Sequence, residues 1–226
     1  MTIRQRSLLI CIVFSTLLIF TGSLRLLNQT ESALSQWAAL STPLYIVATV
    51  AAAITLTRNH VQFNRLGFGF AWRWRYLWLA TIGVIILQAS GQLLAPFWDL
   101  LFGAPRDLDR FATVEGSLTN ALTLIVFSWT FAAFGEELTF RILLQGGLQS
   151  AFGKSRIAIL SALTIQAIIF GTVHMYQGPT GMVSATISGL ILGALTVKAK
   201  GAIWPAALAH GLSNTIGIGS LYLGLS

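Results

Sequence analysis

The chain has 226 residues, of which 55% are hydrophobic and only 9% charged, with a net charge of +7 and a mean hydropathy of +0.75. A soluble domain carries about 25% charged residues, so this chain cannot cover a water-facing surface, and the soluble enzyme and soluble binding-module classes are excluded. In a soluble protein the positive balance would suggest nucleic acid; in a membrane protein, basic residues orient spans and meet anionic head groups, so no nucleic-acid partner is expected.

The expected fold is all-α: a polytopic membrane helix bundle of about seven transmembrane helices, with residues 1–226 as one transmembrane domain and the chemistry-bearing part at 117–223. Arg4 and Arg6 precede an apolar run at 8–20. The pattern fits a signal peptide, but without a small-x-small cleavage site a retained first helix is the better reading. Cys11, the single cysteine, lies in that run and reads as a packing residue. A second span is expected at 37–56. At 58–76, Arg58, Arg65, Arg73 and Arg75 alternate with Phe63, Phe68, Phe70, Trp72 and Trp74, a composition suited to a loop anchored at the membrane interface.

The third span covers 77–97, and a polar loop follows at 98–116 with Asp99, Asp107, Asp109 and Glu115 against Arg106 and Arg110. The fourth helix runs from about 118 to 151, roughly 50 Å, with Gly146 and Gly147 as candidate breakers of its second half. The fifth span covers 157–175; Tyr176 to Gly181 reads as a turn; the sixth span covers 182–197 and the seventh 203–223, with Pro205 in its first turn. Seven spans put Arg4, Arg6, Arg58, Arg65, Arg73, Arg75, Lys154, Arg156, Lys198 and Lys200 on one side, and Arg25, Arg106 and Arg110 on the other. The positive-inside rule then makes the N-terminus cytoplasmic.

Four polar features fall within or at the edge of spans: Glu136-Glu137, Arg141, His174, and His210 with Asn214. An ionised side chain at a helix centre costs about 2.5–3.5 kcal/mol on insertion scales, so such groups face a cavity or each other. Glu137 and Arg141 stand in the favourable order for an i,i+4 ion pair. That pairing leaves Glu136 as the unpaired carboxylate, able to act as a base near neutral pH if water reaches it. Taken alone, the trio also fits a helix end at the interface. The helices at 118–151 and 157–175 turn near 153–154, so Glu136 and His174 sit at depths that agree within about 5 Å. His210 falls nearer mid-membrane.

The sequence reads Glu136-Glu137-Leu138-Thr139-Phe140-Arg141, then Phe170-Gly171-Thr172-Val173-His174, then His210-Gly211-Leu212-Ser213-Asn214. These motifs, in this order and on three separate spans, resemble the CPBP family of intramembrane proteases (CAAX-protease and bacteriocin-processing enzymes), also called the type II CAAX prenyl protease family. The resemblance covers 136–214; the first three helices carry no mark of it.

The resemblance implies a peptide-bond hydrolase with a conical cavity. In it Glu136 activates water, His174 assists, His210 and Asn214 hold the oxyanion or substrate carbonyl, and Glu137 and Arg141 brace the site. No cofactor is required by a glutamate-activated water. Zinc is the one candidate, with Glu136, His174 and His210 as its possible ligands. The partners implied are a membrane-embedded or lipidated peptide and the lipid bilayer, and the location is a bacterial plasma membrane. Oligomeric state stays open. The competing classes are a transporter or proton relay and a non-enzymatic membrane adaptor of the bacteriocin-immunity type.

Overall fold

The computed structural model describes residues 1–29, 35–66 and 68–225. Helix α1 (Ile3–Leu24) starts at a capping box, in which Thr2 and Gln5 satisfy each other's backbone amides. Two 3₁₀ turns, Arg25–Gln29 and Ser35–Leu40, lead to α2 (Ser41–Arg58) and the short α3 (Phe63–Leu66). Helix α4 (Arg75–Phe102) runs past the span end expected at 97 and stops where Gly103 takes the left-handed conformation, φ 70°. Helix α5 (Leu118–Phe127), capped by Ser117, passes into two π-helical segments, Ser128–Glu136 and Leu138–Gln145, and then into α6 (Gly146–Phe152). Together these form one 35-residue helix, Leu118–Phe152. After it come α7 (Arg156–Val173), a 3₁₀ turn at Met175–Gln177, α8 (Gly178–Lys198) and α9 (Trp204–Tyr222).

Six of these helical stretches are long and apolar enough to cross a membrane. The seventh expected span forms as α9, 19 residues long. It stands outside the six because it carries the polar residues His210, Ser213, Asn214 and Thr215, of which His210, Asn214 and Thr215 bond side chains of the long helix. Large apolar side chains such as Trp78, Leu93, Leu100 and Ile157 are three-quarters exposed or more, as lipid-facing residues should be. The chain is an integral membrane protein.

Lipid tails give helices no hydrophobic reason to associate, so close packing must hold them together. Small residues supply it. A Cβ on Gly22 of α1 would stand 2.8 Å from the backbone of Val173, so only glycine lets α1 approach the end of α7. Gly146 and Gly147 do not break the long helix as expected. Gly146 lies against the Phe63 and Phe68 rings, and Gly147 against the Cys11 sulfur and Leu56. Cys11 is fully buried there. α1 therefore packs into the bundle core with Phe14, Leu18, Leu56, Phe140, Leu144, Phe170 and Val173.

Two loops also differ from expectation. The turn foreseen from Tyr176 is already helix from Gly178, with Pro179 in the first turn of α8. In the 58–76 stretch Phe70, Trp72 and Trp74 are exposed, but Phe68 is buried and Gly69 pairs with Ala202 through a single β-bridge. The side chain of Arg65 lies outside the described residues.

Candidate active site

The charged residues of the long helix sit where its two π-helical segments meet: Glu136 ends the first, Glu137 is the junction, and Arg141 lies within the second. Such wider turns are rare and concentrate at functional positions. Glu137 and Arg141 are both 0% exposed, and they form the ion pair their spacing predicts. Arg141 Nε donates to Glu137 Oε2 at 2.8 Å and Nη2 donates to Oε1 at 3.1 Å. This two-pronged geometry is the strong form of a carboxylate–guanidinium contact.

His210 of α9 donates through Nδ1 to Glu137 Oε1 at 3.0 Å. The sequence reading missed this contact. It had assigned Glu137 to Arg141 alone and left His210 at a different depth. His174, at the C-terminal end of α7, donates through Nδ1 to the Phe170 carbonyl at 2.8 Å. The Phe170 ring lies between the two imidazoles, with centroids 4.6 Å from His174 and 6.2 Å from His210. It also faces the Arg141 guanidinium at 5.0 Å. Three helices therefore bring Glu137, Arg141, His174 and His210 around one aromatic ring.

The hydrogen bonds assign the tautomers. A neutral imidazole that donates from Nδ1 presents Nε2 as an acceptor. Their Nδ1 partners fix Nδ1 as a protonated nitrogen in both histidines, and among the described residues neither Nε2 is hydrogen-bonded. Asn214, one turn beyond His210, donates through Nδ2 to Ser128 Oγ at 3.0 Å, and Trp129 Nε1 donates to Thr215 Oγ1 at 3.1 Å. Gly211 lets this seam close: a Cβ there would stand 2.7 Å from the Trp129 ring.

Glu136 differs from its neighbour. It is half-buried, and among the described residues no hydrogen bond reaches its carboxylate. Its electrostatic neighbours are His210, Arg25, Glu137 and Arg141, in that order.

Arg25 is a residue the sequence reading had placed in a loop. It projects over the Tyr176 ring at 5.3 Å, and its charge reaches both Glu136 and His174. A second omission is Gln166 of α7, fully buried. It accepts a hydrogen bond from Arg141 Nη1 and donates to the Leu163 and Gly189 carbonyls, each at 3.0 Å. The available signal was its position: a lone glutamine in an apolar span, four residues before Phe170 and eight before His174, on one helix face. Gln166→Leu is expected to strip Arg141 of one acceptor and lower unfolding stability by about 1–3 kcal/mol, measurable by denaturation in detergent micelles. A variant as stable as the parent would show that the contact carries nothing.

Zinc was the one metal considered for Glu136, His174 and His210. Among the described residues no group of three or more His, Cys, Asp or Glu side chains is arranged to hold a metal ion.

In comparison with known families, residues 118–216 fit the family model described as type II CAAX prenyl endopeptidase Rce1-like. No curated protein and no solved structure matches the chain. The matched stretch runs from the start of α5 into α9 and includes Glu136, Glu137, Arg141, His174, His210 and Asn214. Over this stretch, which is less than half of the chain, the sequence is similar to the type II CAAX prenyl endopeptidase (Rce1-like) family.

Proposed function

We propose that this protein is an intramembrane endopeptidase that hydrolyses a peptide bond in a membrane-embedded or lipidated substrate, with Glu136 as the base. One observation carries the reading. Of two adjacent carboxylates, Glu137 is fully engaged by Arg141 and His210, while Glu136, half-buried with His210 as its foremost charged neighbour, has no hydrogen bond among the described residues. A carboxylate so placed can take a proton from water.

In this mechanism Glu136 accepts a proton from water as the water oxygen attacks the carbonyl carbon. The carbonyl π electrons move to oxygen. As the tetrahedral adduct collapses, the C–N bond breaks and Glu136 returns the proton to the leaving amine. His174 Nε2 orients the water by accepting its second hydrogen. Glu137 holds the His210 ring in place, and Arg141 keeps Glu137 charged and fixed. Asn214, whose amide has a second N–H beyond the one given to Ser128, faces the substrate carbonyl. Every step uses side chains and water, and no metal enters. The basic residues of the loops orient the protein with its N-terminus on the cytoplasmic side of a bacterial plasma membrane.

The test is cleavage of a panel of membrane-anchored and lipidated peptides by the purified protein in lipid bilayers, with products identified by mass. A defined new N-terminus is the expected result. If no peptide in the panel is cut, the reading falls and a relay or adaptor role takes its place.

A further inference from the structure

Arg25, Arg106 and Arg110 are the basic residues expected on the side of the membrane opposite the basic loops. They come from segments far apart in the chain. The 3₁₀ turn Arg25–Gln29 holds the first, and the connection between α4 and α5 holds the other two. The fold brings all three to one ring. Arg25 and Arg110 stand over Tyr176, their guanidinium carbons 5.3 and 4.9 Å from its centroid. Arg106 donates through Nε to Gln177 Oε1 at 2.8 Å, and Gln177 Nε2 donates in turn to the Tyr176 hydroxyl at 3.1 Å. Two more bonds tie the connection down here: the Asp107 amide donates to the Gln177 carbonyl at 3.0 Å, and Thr180 Oγ1 donates to the Ala104 carbonyl at 2.8 Å.

Three positive charges held together repel one another, so a carboxylate is expected beside them. Among the described residues none of the three guanidiniums is in ion-pair contact with one. No described residue accepts a hydrogen bond from the side chains of Arg25 or Arg110, and Arg106 gives only its Nε. The Tyr176 ring attracts the cations but takes no N–H from them. Their donors remain for a ligand that brings oxygen acceptors and negative charge, which planar guanidiniums bind two-pronged.

The cluster adjoins the reacting groups. Tyr176 follows His174 by two residues, and their rings are 5.9 Å apart. With the ring-to-guanidinium distances, this puts Arg25 and Arg110 within about 11 Å of the His174 ring, a span of about three extended residues. The charges of Arg25 and Arg106 both reach His174. Tyr176 and Gln177 are buried in the bundle, so the platform under the arginines belongs to the interior and not to the lipid-facing wall. That favours a substrate group over a lipid phosphate.

We propose that Arg25, Arg106 and Arg110 form an anion subsite on the Tyr176 ring that binds a carboxylate of the peptide substrate and selects the bond presented to Glu136 and His174. The proposal rests on the protease reading. The carboxylate is an acidic side chain or a free C-terminus, within about three residues of the cut. All three arginines precede the family-matched stretch, which begins at residue 118. Bond selection is thus assigned to a part of the chain that the three motifs do not cover.

The test uses the full-length protein in phosphatidylcholine bilayers and a membrane-anchored peptide that the parent cleaves. The peptide is made in matched forms: Asp or Asn at each position within about three residues of the cut, and a C-terminal acid or amide at about that distance. The parent is expected to cleave one charged form with kcat/KM about tenfold or more above its neutral counterpart, the difference lying in KM. Which form shows it identifies the carboxylate as side chain or C-terminus. In Arg25→Gln and Arg110→Gln the ratio should fall toward one. Arg110→Glu should favour the neutral form, a reversal that lost packing would not produce. Labelled forms of the same peptides give affinities that need no cleavage. Equal kcat/KM and equal affinity for every charged and neutral pair in the parent overturn the proposal and leave Glu136 and His174 as assigned. A preference that persists in all three variants also overturns it, since the carboxylate is then read elsewhere. An effect of the arginine substitutions seen only when phosphatidylglycerol is added assigns the cluster to lipid and overturns it too. A parent that binds the charged form more tightly but cuts no peptide keeps the carboxylate site and overturns the protease reading.

Discussion

Glu136→Gln is expected to lower kcat by about 10²–10⁴-fold, the range that a positioned general base contributes. The substitution keeps the shape of the side chain and removes only its ability to accept a proton. Glu136 has no hydrogen bond to lose among the described residues, so stability should hold and the loss should fall on kcat rather than KM. Glu137→Gln separates the two carboxylates. It weakens the contacts with Arg141 and His210, so it should lower thermal stability as well as turnover. The measurement is steady-state cleavage of one reconstituted peptide by the parent and both variants, beside their melting curves. Full activity in Glu136→Gln would remove Glu136 from the mechanism. Equal stability loss in both variants would show that the division of roles between the carboxylates is wrong.

Arg141→Met is expected to cost about 3–5 kcal/mol of stability, the penalty for leaving one charge of a buried pair without its partner. Glu137 and Arg141 are both fully buried, and the guanidinium also lies over Phe170 and bonds Gln166. The loss should therefore spread to the ring between the histidines. The double variant Glu137→Leu with Arg141→Met should recover much of the stability, because apolar replacement of both partners removes the uncompensated charge. It should not recover turnover, since His210 would lose the acceptor that holds its ring. A double-mutant cycle, read by unfolding and by kcat in parallel, tests both statements. Recovery of activity together with stability would show that the pair only packs the bundle.

Much of the architecture was legible in the sequence because lipid imposes a plain rule: a span is an apolar run of sufficient length, and every expected span is a helix. The pairing of Glu137 with Arg141 was legible because four residues along a helix is a contact distance. The role of α9 was harder to read. Its histidine and asparagine make it too polar for a simple span, and the depth estimate for His210 treated every helix as straight and perpendicular. The two π-helical segments were illegible, because the periodicity argument assumed 3.6 residues per turn throughout. Arg25 was missed for another reason: it is unremarkable in its own segment and acquires meaning only from Glu136, His174 and Tyr176, far along the chain.

The wider turn of the long helix also bears on how this chain tolerates change in length. Ser128 and Glu137 are nine residues apart, yet both meet α9, through Asn214 and His210. At 3.6 residues per turn, nine residues make two and a half turns, and the two side chains would point to opposite sides. At roughly 4.4 residues per turn, the pitch that i→i+5 bonding implies, they make about two turns and face the same way. A one-residue deletion between Ser128 and Glu136 that let the helix tighten to 3.6 residues per turn would leave about 2.2 turns and rotate the carboxylates by roughly 60° relative to Ser128. The segment can thus exchange side chains more readily than it can change its number of residues.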